Sequence, residues 1–189
     1  MSHLKWNMAY IGIGSNVGDT AQNCLQAIQS LHQHPDCEVL RASSFYETEP
    51  LKLHTADNPA WYANAVIKIR TYLNAYRLFQ FLQEIEQNMG RPTQREKWSP
   101  RVIDLDLLFF NDDLIKTETL KVPHPEAHKR RFVLEPLVEI DPDLIHPIKG
   151  ISAKKLLESL TDNHKVIPLF KIYLSRNAGE NLQAISQEV

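Results

Sequence analysis

Cysteine is scarce in this sequence. Cys24 and Cys37 are the only two among 189 residues, and they form neither a C-x-x-C pair nor a metal spacing. A disulfide framework and a zinc module are excluded, and two free thiols in a reducing cytoplasm are expected. No apolar run approaches the roughly 18–20 residues of a membrane span. The opening stretch "MSHLKWNMAY" lacks the apolar core of a signal peptide. Positive charge is not in excess: 21 Lys and Arg against 23 Asp and Glu give a net charge of −2. Nothing global therefore points to nucleic acid or to an anionic membrane. There is no internal repeat and no low-complexity segment. The glycines of "YIGIGSNVGD" are spaced G-x-G-x-x-x-G, one residue too long for the dinucleotide fingerprint, and no Lys-Ser/Thr follows to make a P-loop. What is present is an ordinary globular composition, 43% hydrophobic and 23% charged, in a chain long enough to bury its own core.

The periodicity predicts a strand over 8–14, then a helix capped by Asp19 with Ala21, Cys24, Leu25, Ile28 and Leu31 on one side. "CEVLRASSFYET" (37–48) reads as a second strand, 51–59 as a loop, and 61–73 as a third strand. In that third strand Trp61, Ala63, Ala65, Ile67 and Ile69 share the apolar face. Asn74 caps a second helix, with Leu78, Leu82, Ile85 and Met89 on one side and Gly90 as its terminator. A basic loop over 91–100 feeds a fourth strand, "RVIDLDLLFF" (101–110). The order β-α-β-β-α-β is the ferredoxin-like arrangement. The fold class expected is α+β: an antiparallel sheet with both helices on one face and the active site on the other, plus C-terminal additions. A hairpin is expected after residue 110 and a helix over 152–160. The domain reading is one domain over 1–160 and an extension over 161–189 without assigned structure.

The sharpest chemical feature is "DLDLLFF". Asp104 and Asp106 lie two apart on a strand and so share a face with Val102, Leu108 and Phe110. Ile103, Leu105, Leu107 and Phe109 make the other face. A strand apolar on both faces is expected to be central in its sheet. Paired carboxylates there repel each other and lose solvation. A hard divalent cation relieves both, and Mg²⁺ takes one or two carboxylates and leaves its other positions to water and phosphate oxygens. The plain alternative is two salt-bridged aspartates, with Arg101 and Lys97 near in sequence. Arg91, Arg95, Lys97 and Arg101 precede or enter the strand, and such cations neutralise phosphate oxygens. Trp98 in that loop either packs it down or stacks on a planar ligand. His124, held between two prolines and followed by Lys129, Arg130 and Arg131, is placed to hydrogen-bond a phosphate. The other histidines carry no metal role. With Ile11 and Ile13 facing the helices, Gly12, Gly14, Tyr62, Asn64, Asp104 and Asp106 share the uncovered face. Bare glycine backbone beside Tyr62 and Asn64 suits a flat, hydrogen-bonding heterocycle.

The motifs "YIGIGSNVGD", "SSFYETEPL", "NPAWYANAVI", "MGR…KWSPRVIDLDLLFF" and "VPHPEAHKRRFVLEPL" resemble, in order, those of the 6-hydroxymethyl-7,8-dihydropterin pyrophosphokinases of folate biosynthesis. The resemblance runs from about residue 8 to 147. It implies transfer of the β,γ-diphosphoryl group of ATP to the pterin hydroxymethyl oxygen, with release of AMP and with two Mg²⁺. It also implies roles. Asp104 and Asp106 match the metal ligands. Gly14, Thr48, Leu51, Tyr62 and Asn64 match pterin contacts, and Trp98 and Phe132 match the rings that sandwich it. Arg91 and Arg101 match catalytic, phosphate-handling arginines. Lys97 and His124 match ATP phosphate contacts, Gln83 and Leu107 adenosine-side contacts, and Arg130 a further arginine beside the site. The sequence departs from the pattern at Thr93, where some members carry a second loop arginine, and at Glu49, where proline is common. The partners implied are ATP and the pterin. Neither nucleic acid nor membrane is expected, and the chain is expected to be a monomer with room for association with other folate-pathway enzymes.

Two alternatives stand beside this. A homologue acting on another substrate would share the fold. A single-stranded RNA reader would also place four strands under two helices, but it needs aromatic residues on the open strands and a basic domain. Here those strands carry Gly12, Gly14, Asp104 and Asp106.

Overall fold

The computed structural model describes residues 5–49, 61–90, 101–175 and 183–188. β1 (Asn7–Ser15) leads through a turn at Gly18, whose φ is +67°, into α1 (Thr20–Gln33). The Asp19 carboxylate accepts from the Gln22 N–H at 3.0 Å, satisfying one of the free donors at the helix start. β2 (Cys37–Ala42) and β3 (Phe45–Thr48) both pair antiparallel with β4 (Tyr62–Thr71), which in turn pairs with β1. α2 (Ala75–Asn88) begins at Asn74, whose side chain accepts from the Arg77 N–H at 3.0 Å. β5 (Asp104–Phe110) pairs with β1. A small hairpin of β6 (Ile115–Lys116) and β7 (Lys121–Val122), α3 (Arg131–Ile140) and α4 (Ala153–Glu158) follow. β8 (Val166–Ser175) then pairs with β3, and β9 (Gln183–Glu188) with β8.

The sheet order is β5-β1-β4-β3-β8-β9, with β2 also on β4, so the βαββαβ core is ferredoxin-like, as its element order predicts. Its main core lies under α1 and α2. Ile11, Ile67, Ile69 and Leu107 from the strands meet Ile28, Leu31, Leu78 and Leu82 from the helices. Each such side chain contributes about 1.5–3 kcal/mol by leaving water. Both cysteines are free and buried. Among the described residues no helix is long and apolar enough to cross a membrane.

Four expectations need correction. The stretch 37–48 is two strands rather than one. The Ser43 hydroxyl takes the Val66 N–H at 3.0 Å and stands in for a backbone acceptor where the chain bends. β5 is an edge strand, paired on one side by β1 alone. It is apolar on both faces because its second face joins a buried cluster with residues of α3, α4 and Ala127, not because the strand is central. A register shift between Tyr10 and Ile11 opposite β5 skips Leu108 and breaks the alternation. Leu108 and Phe109 consequently both join the α3 side, while Phe110 turns into the main core. Finally, the second face of the sheet is only half open. Tyr10, Val66, Leu108 and Phe109 are buried there against Val133, Leu134 and Leu137 of α3.

Glu49 has a visible role. Its N–H donates to the Lys165 carbonyl at 3.1 Å, a bond that proline cannot make, and this contact opens the pairing of β3 with β8.

Candidate active site

The half of the second face outside the α3 cluster lies beyond Leu108 and is built in register. Asp104, Gly14, Asn64 and Tyr46 stand side by side across β5, β1, β4 and β3. Asp106 and Gly12 pair in the next row but one. Gly14 is required by contact: a Cβ there would lie 2.9 Å from the Asn64 Oδ1 and 4.0 Å from the Asp104 Cβ. Gly12 serves a different purpose from the one expected. A Cβ on it would meet the Leu108 methyls at 3.4 Å, so its bareness admits Leu108 and contributes less to an open floor. Asn64 is buried, and its Nδ2 donates to the buried Thr48 Oγ1 at 2.5 Å. The bond leaves the amide oxygen beside Gly14. Tyr62, paired with Thr48, is half-buried at the rim.

Asp104 forms an ion pair with Arg101. The Arg101 backbone is held in turn: its N–H donates to the Asn16 Oδ1 at 2.7 Å, and its carbonyl accepts from the Asn16 N–H at 3.1 Å. Arg101 Nε is buried without a hydrogen-bond partner among the described residues. Burial and the neighbouring Asp104 charge push the Asp106 carboxyl above its ordinary range, against the smaller opposing pull of His124, Arg130 and Arg101. Those five side chains therefore share one electrostatic neighbourhood. His124 is anchored by its own N–H on the Leu108 carbonyl at 2.8 Å, and its Nδ1 accepts from the Glu126 N–H at 3.3 Å. That bond leaves the proton of the neutral ring on Nε2. Burial lowers the His124 pKa, opposed by Asp106 and aided by Arg130. His128, four residues on, instead packs edge-on against the buried His146 at 5.4 Å. The Arg130 guanidinium stands 5.7 Å from the Phe132 ring centre at the start of α3.

Two adenosine-side candidates are placed differently. Gln83 is exposed on α2. The Leu107 side chain is buried in the main core, so a ligand would meet only its backbone. The Leu105 N–H points off the free edge of β5 to the Glu86 carboxylate at 2.7 Å. Strand alternation turns the Leu107 backbone groups to that same edge. Leu51, Arg91, Lys97 and Trp98, with Thr93 and Arg95, lie outside the described residues. Asn16 and Glu86 escaped the sequence reading because both act on backbone groups that only the fold brings near. Among the described residues no three His, Cys, Asp or Glu side chains form a metal cluster. The carboxylate pair on β5 is nonetheless a hard-oxygen donor set, and its mutual repulsion fits a divalent cation shared with phosphate oxygens.

The chain matches the family model for 7,8-dihydro-6-hydroxymethylpterin-pyrophosphokinase over residues 10–142. It is 45% identical over 134 residues to the 2-amino-4-hydroxy-6-hydroxymethyldihydropteridine pyrophosphokinase of Bacillus subtilis, covering 71% of this chain and 78% of that one. To the protein of the same name from Haemophilus influenzae it is 38% identical over 161 residues, covering 85% and 97%. Among solved structures, the HPPK-DHPS of Plasmodium falciparum superposes with a TM-score of 0.68 at 16% identity, over 89% of this chain and 48% of that one. That likeness speaks to the fold.

Proposed function

The chain belongs to the 7,8-dihydro-6-hydroxymethylpterin-pyrophosphokinase family, and from that membership we infer that it is an ATP-dependent diphosphotransferase of folate synthesis. It transfers diphosphate from ATP to 6-hydroxymethyl-7,8-dihydropterin. The pterin hydroxyl oxygen bonds to the β-phosphorus, the bond from that phosphorus to the α-phosphate oxygen breaks, AMP leaves and the hydroxyl proton is lost. The observation that carries this reading is the row Asp104–Gly14–Asn64, which puts a metal-type carboxylate and an amide beside bare backbone on one face of the sheet.

Asn64, Thr48 and Gly14 offer a hydrogen-bonding wall for the heterocycle, with Tyr62 and Leu51 at its border and Trp98 and Phe132 as the rings on either side of it. Arg91 and Arg101 neutralise the polyphosphate and exclude water from it. Lys97, His124 and Arg130 add phosphate contacts, and the His124 Nε2–H is the donor that the fold leaves available. Gln83 and the Leu107 backbone take the adenosine side. Asp104 and Asp106 would hold Mg²⁺, two ions by the family resemblance, and the bound metal supplies charge neutralisation for the phosphates. Arg101 is shared between Asp104 and phosphate, so its ion pair with Asp104 holds the aspartate's charge until ATP arrives.

The chain acts as a monomer in this reading. Association with other folate enzymes is supported by the solved Plasmodium chains, of which this chain spans about half the length. The test is AMP release from ATP, with and without 6-hydroxymethyl-7,8-dihydropterin. Release that depends on the pterin is expected.

A further inference from the structure

The "SSFY" segment at the bend between β2 and β3 is not used by the reaction as described, yet it is tied closely to α3. The Glu139 carboxylate accepts from the Ser44 N–H at 2.8 Å, from the Ser44 hydroxyl at 2.9 Å and from the Tyr46 hydroxyl at 2.9 Å. The Tyr46 phenol is held above its ordinary pKa by burial and by Glu139, so it stays a donor. One residue on, the Ile140 carbonyl accepts from Arg41 at 2.8 Å. At the next, Asp141 accepts from Lys68 at 2.6 Å and from Tyr10. The C-terminal end of α3 is thus fastened to four strands, β1 to β4.

We propose that Glu139 is a positioning residue, which locks the two walls of the pterin site to one another through Ser44 and Tyr46. One wall is the sheet. Tyr46 and Thr48 lie two apart on β3 and share a face, and Thr48 holds Asn64. The other wall is the first turn of α3, with Phe132. Phe132 and Glu139 are seven residues apart, two helical turns on nearly the same side of α3 and about 10 Å along it. A fixed Glu139 therefore fixes where along the sheet the first turn of α3, and Phe132 with it, lies. The apolar packing of Val133, Leu134 and Leu137 presses α3 onto the sheet, but apolar contact alone does not set its slide along the strands, whereas directed hydrogen bonds at one end do, and the three to Glu139 are the ones that tie it to the β2–β3 bend. Ser44 is suited to this because the bend frees its N–H from the ladder.

The inference rests on the pyrophosphokinase reading, and its test separates the two. Steady-state AMP release is measured for the wild type, Glu139→Ala, Glu139→Gln and Tyr46→Phe, varying pterin and ATP independently, with a thermal melt of each. Wild-type activity tests the reading, and an inactive wild type overturns both. Given an active wild type, Glu139→Ala is expected to raise the pterin KM at least tenfold, with the ATP KM changed less than twofold. Glu139→Gln recovers most of the loss: its oxygen still accepts from Ser44 and Tyr46, and its NH₂ donates to the Ser44 hydroxyl. Should Glu139→Ala fail to fold, Tyr46→Phe carries the test, with a smaller rise of about threefold in the same KM. A lowered melting temperature with an unchanged pterin KM in the folded variants overturns the proposal, as does an equal loss on both substrates.

Discussion

Gly14 and Asn64 face each other across β1 and β4, so closely that a methyl group on Gly14 would lie 2.9 Å from the Asn64 amide oxygen. The glycine is there to leave the asparagine its place. Gly14→Ala is expected to push Asn64 off Thr48 and raise the pterin KM by about tenfold, one hydrogen bond's worth. Gly12→Ala meets only the flexible Leu108 methyls at 3.4 Å and should change that KM less than threefold. Parallel KM measurements on the two variants check the difference.

Removing either β5 carboxylate should abolish the reaction with little loss of fold. Asp104→Ala and Asp106→Ala are expected to lower kcat by about a thousandfold or more. Asp104→Ala relieves the repulsion on Asp106 but takes the ion-pair partner from Arg101, so its melting temperature should stay close to that of the wild type. Chelation of divalent metal should silence the wild-type enzyme, and added Mg²⁺ should restore it. Assays and melts with and without chelator read all three outcomes.

β5 shows what could be read from the sequence and what could not. The D-x-D pair, its shared face and the glycines beside it follow from strand alternation, and the caps Asp19 and Asn74 follow from local chemistry. The bulge at Leu108 does not, because a register shift belongs to the pairing with β1 rather than to "DLDLLFF" itself. Nor does the edge position: Leu108 and Phe109 announce burial without saying whether a strand or a helix provides it. Ser44 and Glu139 are 95 positions apart, and neither residue type reveals the other.

The free edge of β5 depends on Glu86, whose buried carboxylate takes the Leu105 N–H. Glu86→Ala leaves that donor without this acceptor and should cost about 1–3 kcal/mol. Glu86→Gln keeps an acceptor and should cost less. Urea unfolding of both variants measures the gap.

His146 makes stability depend on pH. Its Nδ1 accepts from the Ile148 and Lys149 N–H groups at 3.2 and 3.4 Å, and burial, with His128 and Lys149 nearby, lowers its pKa. Burial and lysine charges lower that of His128 as well. The unfolded chain therefore binds more protons than the folded one below about pH 6.5. The contribution of this pair is complete above that pH and is lost as the pH falls through the lowered folded values. Melting temperature should decline between pH 7 and 5 in the wild type, and more shallowly in His146→Gln.

The central claim, that Asp104, Gly14 and Asn64 form the donor and acceptor halves of one pyrophosphokinase site, meets its most direct test in a single assay. Purified protein is given ATP and Mg²⁺, with and without 6-hydroxymethyl-7,8-dihydropterin, and AMP and the pterin diphosphate are quantified. The two products are expected in equal amounts, only when the pterin is present, and not from Asp106→Ala. ATP turnover that ignores the pterin, or an Asp106→Ala protein of near-normal rate, would contradict that claim.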